Sequence, residues 1–114
     1  MPKLQIFRIR IATGEQGRTD IPEFKINGFK IPFDNPRGGV GPGETFEAEG
    51  APQSFAHSLH LCGPTEGTWE IRETTLTYNL MGEPPYTIRL GRVVLDSESD
   101  LNIWHERQPV VFDV

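Results

Sequence analysis

Glu23-Phe24-Lys25-Ile26-Asn27-Gly28-Phe29-Lys30-Ile31-Pro32-Phe33 is the stretch on which the reading of this chain turns. Asn27 and Gly28 supply the two positive-φ positions that a type I′ hairpin turn requires. A two-residue loop sets Ile26 opposite Phe29 and Phe24 opposite Ile31. Phe24, Ile26, Phe29, Ile31 and Phe33 therefore share one face of the hairpin. Pro32 has no N–H for a ladder, so this arm is expected to be an edge strand or to end there.

Toward the N-terminus, Phe7, Ile9 and Ile11 alternate with Arg8 and Arg10, the period-two pattern of a strand with one wet face. A polar loop carrying Gly14 and Gly17 follows. Past the hairpin, DNPRGGVGPG at 34–43 is the densest run of turn-formers and is expected to be a loop. ETFEAE then places Glu44, Phe46 and Ala48 on one face, with Glu44 at its frayed end. QSFAHSLHLC places Phe55, His57, Leu59 and Leu61 on one face and Ala56, Ser58, His60 and Cys62 on the other. In TWEIRETTLTYNL the apolar phase changes from Trp69 and Ile71 to Leu76, Tyr78 and Leu80. A bulge or bend near residues 73–75 repairs it. PYTIRLGRVVLD changes phase in the same way around Gly91. LNIWHE and PVVFDV complete the series.

These segments make an all-β chain of about eight short strands, an antiparallel sandwich of jelly-roll type, with a small curved β-barrel as the alternative. With 114 residues, one domain spanning 1–114 is expected, because a second core would lack the apolar surface to offset its ordering entropy. The 12 Gly and 10 Pro fit many short strands joined by tight turns. A net charge of −5 argues against nucleic-acid or anionic-membrane binding, which needs clustered Lys and Arg. The single cysteine, Cys62, allows no internal disulfide. Together with the absence of a secretion-type apolar stretch, this points to the cytoplasm.

Candidate chemistry is dispersed. His57 lies between Phe55 and Leu59, and His105 on the face of Leu101 and Ile103. An inward pair of histidines could line a cavity and move a proton, with Tyr78 or Tyr86 as donor. A partly buried histidine satisfied by one backbone or hydroxyl partner is the commoner case. His60 and Cys62, two apart, could share a zinc ion or form a Cys-His pair, although no second cluster completes four ligands. Asp96, Glu98 and Asp100 alternate in a turn and offer oxygen ligands to calcium, without the glycine and glutamate of an EF-hand. Acids at a hairpin tip equally serve solubility. Trp104, with Trp69 elsewhere, could offer a platform to a sugar or a protein partner. Arg72, Arg89 and Arg92 could frame an anion if their strands adjoin. The glycine-rich loop lacks the ending of a phosphate-binding motif and reads as a connection or a lid.

Three functions follow. The first is a non-catalytic binding and assembly module that recognises a protein or small ligand and self-associates through an edge strand, without a cofactor. The second is a small cavity enzyme of isomerase, cyclase or hydrolase type using His57, His105 and Tyr78. The third is a calcium-assisted carbohydrate binder using Asp96, Glu98, Asp100 and Trp104.

Overall fold

A computed structural model describes residues 3–18, 21–54 and 58–104. Among these residues the chain forms ten strands and no helix. They are β1 (Leu4–Thr13), β2 (Glu23–Ile26), β3 (Phe29–Pro32), β4 (Asp34–Gly38), β5 (Thr45–Gly50), β6 (Leu59–Leu61), β7 (Thr68–Leu80), β8 (Tyr86–Leu90), β9 (Val93–Asp96) and β10 (Leu101–Asn102). All pairings are antiparallel. The larger sheet runs β4-β5-β1-β7-β8, with β9 also on β7, and the smaller runs β10-β6-β2-β3. Neither sheet closes on itself, so the architecture is a β-sandwich and not the barrel held as its alternative. No helix long and apolar enough to cross a membrane occurs among the described residues.

The hairpin forms as its turn chemistry demands. Asn27 and Gly28 have φ of 50° and 88°, and the register pairs Ile26 with Phe29 and Phe24 with Ile31. Phe24, Ile26 and Phe33 are buried, but Phe29 is 74% exposed. It sits beside the turn on β3, at the edge of the sheet, where no further described strand extends the cover.

The expected loop at 34–43 is corrected in its first half, where residues 34–38 form β4 against β5. Pro36 and the left-handed Asn35 (φ 49°) hid this strand from a propensity reading. They are tolerated because β4 is an edge and its register shifts between Asp34 and Arg37. The chain thus leaves β3 in one sheet and enters β4 in the other across the single residue Phe33. Its ring meets Phe24 at 5.0 Å, Phe46 at 5.9 Å and Phe7 at 6.1 Å. Each such aromatic pair adds about 0.5–1.5 kcal/mol beyond area burial, so Phe33 pins the layers together at this corner.

The phase change in TWEIRETTLTYNL is a true bulge, one residue earlier than the spacing suggested. Ala12 pairs with Glu73 but Thr13 with Ile71, leaving Arg72 as the extra residue. Gly91 and Arg92 make the matching phase change on the other side of β7. No residue is gained or lost there, since Ile71 still meets Val93 and Thr74 still meets Leu90. Trp69 and Ile71 therefore point inward before the bulge, and Thr74, Leu76, Tyr78 and Leu80 after it. In the segment QSFAHSLHLC only Leu59–Leu61 is strand among the described residues, apart from an isolated bridge between Ser54 and Leu4.

Candidate functional site

His57 and His105, the proposed proton-transfer pair, lie outside the described residues, as do Phe55 and PVVFDV. Their companion Tyr78 is fully buried. Its hydroxyl donates to the Ile103 carbonyl, and its ring is flanked by Tyr86 at 5.1 Å and Trp104 at 5.2 Å. This is the placement of a core tyrosine tied to the segment that follows β10. Trp104 is half-buried with an edge contact to Tyr78 and so does not stand free as a platform. Trp69 is fully buried, and its indole N–H donates to the Thr13 hydroxyl at 3.0 Å.

The three acids of the 96–100 turn are not gathered on a common centre. Asp96 Oδ1 accepts from the Glu98 N–H at 2.9 Å and the Ser99 hydroxyl at 3.0 Å, which builds the turn itself. Asp100 faces elsewhere, its Oδ1 accepting from the Gly63 N–H at 3.0 Å and its Oδ2 from Lys25 Nζ at 3.1 Å. Among the described residues no group of three or more His, Cys, Asp or Glu could hold a metal ion. Asp96 and Asp100 thus serve backbone, hydroxyl and lysine donors.

Asp100 organises a small charged cluster instead. Burial alone would raise its pKa, but the Gly63 N–H and the Lys25 ammonium outweigh that and hold the carboxyl below its ordinary value. The same bond, followed by simple attraction to Asp100, raises Lys25. Cys62 is buried, and burial followed by the Asp100 charge pushes its thiol up. A thiol so placed is the opposite of an activated nucleophile, which needs a cationic setting to become thiolate. His60 is half-buried on β6, between Lys25 of β2 and Asn102 of β10 in the ladder.

The arginines do not converge. Arg89 lies 3.9 Å from Glu73, and Arg92 binds Glu70 at 2.8 Å. Glu70 also accepts from the Glu15 N–H, the main cause of its lowered pKa. Arg72 is the exposed bulge residue.

Arg18 escaped the sequence reading. It is only 9% exposed, donates to the Cys62 carbonyl at 3.2 Å and stands 5.2 Å from the centre of the Trp69 ring. No periodicity marks it, since it lies in a loop between glycine and threonine. It contributes to a cleft of about 420 Å³, with Ile21, Val40, Phe46 and the glycine-rich loop. In that loop the Glu44 carboxylate accepts from the Gly41 N–H at 3.0 Å and lies over Gly39. The chain's own acid therefore takes up the backbone N–H that this loop presents there.

Among the described residues one long sheet edge has no neighbouring strand. β8 and β9 run end to end along β7, and no described strand pairs their far side. Tyr86, Ile88, Leu90 and Val93 point toward the core but are only half-covered, while Thr87, Arg89 and Val94 are exposed on the other face. The other edges are guarded. β3 carries Lys30 and ends on Pro32, β4 is broken by Asn35 and Pro36, and β10 has two residues.

Comparison of the chain with family models, curated proteins and solved structures finds no match.

Proposed function

We propose that this chain is a non-catalytic recognition and assembly module that works through its sheet edge. The observation that carries this reading is the β8–β9 edge, whose far side no described strand pairs, with its row of half-covered apolar side chains. An unpaired edge is a template for another strand, and a half-covered apolar row gains stability when something closes over it. The engaged state of the other candidates supports the same reading. Tyr78, Asp96, Asp100 and Arg92 are all bonded within the fold, and burial pushes the Cys62 thiol up.

Light scattering over a wide concentration range tests it. A dimer or larger species that grows with concentration is expected. A monomer up to the solubility limit removes self-assembly from the reading.

A further inference from the structure

We infer that the outward face of the larger sheet binds a single phosphate or sulfate group in a trough over β7, with Thr75 and Thr77 as its floor and Arg8, Arg10 and Arg89 as its walls. This goes beyond the assembly reading and does not depend on the sheet edge. The register builds the trough. Arg8, Thr77 and Thr87 lie in one row across β1, β7 and β8, and Arg10, Thr75 and Arg89 lie in the next. Neighbouring strands are about 4.8 Å apart and alternate residues of a strand about 6.7 Å, so the three long side chains surround the short threonines of the middle strand. Two hollows open there, of about 250 and 220 Å³, and both are lined by Arg10 and Thr75.

The fold uses little of what these three arginines can donate. Arg37 donates to Glu49, and Arg92 donates to Glu70 at 2.8 Å, so both are committed. Glu49 is the residue opposite Arg8, but Arg37 holds its carboxylate at 3.1 Å. Arg8 is thereby left exposed with no hydrogen bond or ion pair among the described residues. Arg10 comes only to 3.7 Å from Glu47, and Arg89 only to 3.9 Å from Glu73, both beyond hydrogen-bond distance. Their side chains are 65% and 77% exposed, and ion pairs so loose and so wet are displaced at little cost. On the floor, the Thr77 hydroxyl meets that of Thr87 at 3.0 Å, and the half-buried Thr75 lies between Arg10 and Arg89.

A guanidinium is a planar fork of N–H donors that matches two oxygens of a phosphate or sulfate. Forks on both walls and hydroxyls below address oxygens that point in three directions, which suits a tetrahedral group better than a flat carboxylate. Glu73, one step along β7, and Glu47, across from Arg10 on β5, bound the trough with negative charge. They and the net charge of −5 restrict the ligand to one anionic group and disfavour a polyanion.

Two-dimensional NMR of the protein titrated with inorganic phosphate or sulfate, at an ionic strength held constant with chloride, tests the site. Saturable shifts are expected at the Thr75 and Thr77 amides and at the side-chain N–H groups of Arg8, Arg10 and Arg89. Arg10→Gln, on a wet face, should weaken binding about tenfold, the usual worth of a charge-assisted hydrogen bond. Arg92→Gln should leave it unchanged. Glu73→Gln should tighten binding severalfold by releasing Arg89, whereas Glu66→Gln, which removes the same charge from the turn before β7, should not. Glycerol phosphate distinguishes the two sources of the group: an esterified ligand is supported if it binds more tightly than inorganic phosphate, the free ion if it does not. Shifts that never saturate, or that chloride reproduces, are ionic screening and overturn the site. Equal tightening by both glutamate variants, or an affinity that Arg10→Gln leaves unchanged, overturns it as well.

Discussion

Gly50 stands directly across the ladder from Phe7, and a Cβ at Gly50 would lie 2.4 Å from a ring carbon of Phe7 and 3.0 Å from one of Phe24. Both rings are fully buried and meet edge to face at 5.0 Å. Neither can swing aside without disturbing the other. Gly50→Ala is therefore expected to destabilise by about 1–3 kcal/mol, the usual range for overpacking, despite the entropy that alanine removes from the unfolded chain. Urea denaturation measures it. An unchanged midpoint would show that the Phe7 and Phe24 rings repack freely.

Thr74 offers the opposite sign. It is fully buried behind the β7 bulge, and its hydroxyl finds no hydrogen-bond partner. Valine has nearly the same shape and an equal liking for strands. Thr74→Val should raise stability by about 1 kcal/mol, the desolvation cost of an unsatisfied buried hydroxyl. Thermal unfolding checks it, and a lowered midpoint would mean that the hydroxyl has a partner.

Acid stability should depend on Asp100. Its folded-state pKa is depressed, so it contributes stability that is present above the ordinary carboxylate value of about 3.9 and lost as pH falls through the folded value. Lys25 is raised, so its contribution is full below the ordinary lysine value of about 10.4 and is lost as pH rises through the raised value. The pair thus acts on both limbs. Asp100→Asn should flatten the acid limb of a stability-versus-pH curve below about pH 4 and the alkaline limb above about pH 10. An acid limb identical to that of the parent protein would remove Asp100 from this role.

Calcium should leave the protein unchanged. Asp96 is committed to the turn amides and Asp100 to Gly63 and Lys25, so the turn offers no preformed oxygen cage. The melting temperature is expected to be the same with millimolar calcium and with chelator. A calcium-dependent rise would reveal a site selective for the folded state.

Alternation and turn chemistry carried far in reading this chain, and their limits are physical. Asn27 and Gly28 specify a hairpin because few other turns use both residues. The mismatch between Ile71 and Leu76 located the bulge to within a residue, because period two leaves no other remedy. β4 was illegible because an edge strand can keep Pro36 and a left-handed Asn35 that no interior strand would accept. Phe29 alternates correctly yet stays exposed, since alternation assigns a face but not whether another layer reaches it. Of the candidate site, the alternation of β8 was readable. The loop-borne Arg18, its approach to Trp69 and the capture of Asp100 by Lys25 depend on which strands become neighbours, and spacing does not encode that.

Phe33 links these observations across the sandwich. It follows β3 and precedes β4, so only one residue separates a strand of one layer from a strand of the other. A slip of one residue in the hairpin would turn Phe33 to solvent and Pro32 inward, and would drag Asp34 out of step with Glu49. The Asn27-Gly28 corner therefore acts as a gauge for a strand it never touches. Lengthening that turn by a residue would be felt as misalignment on the far layer.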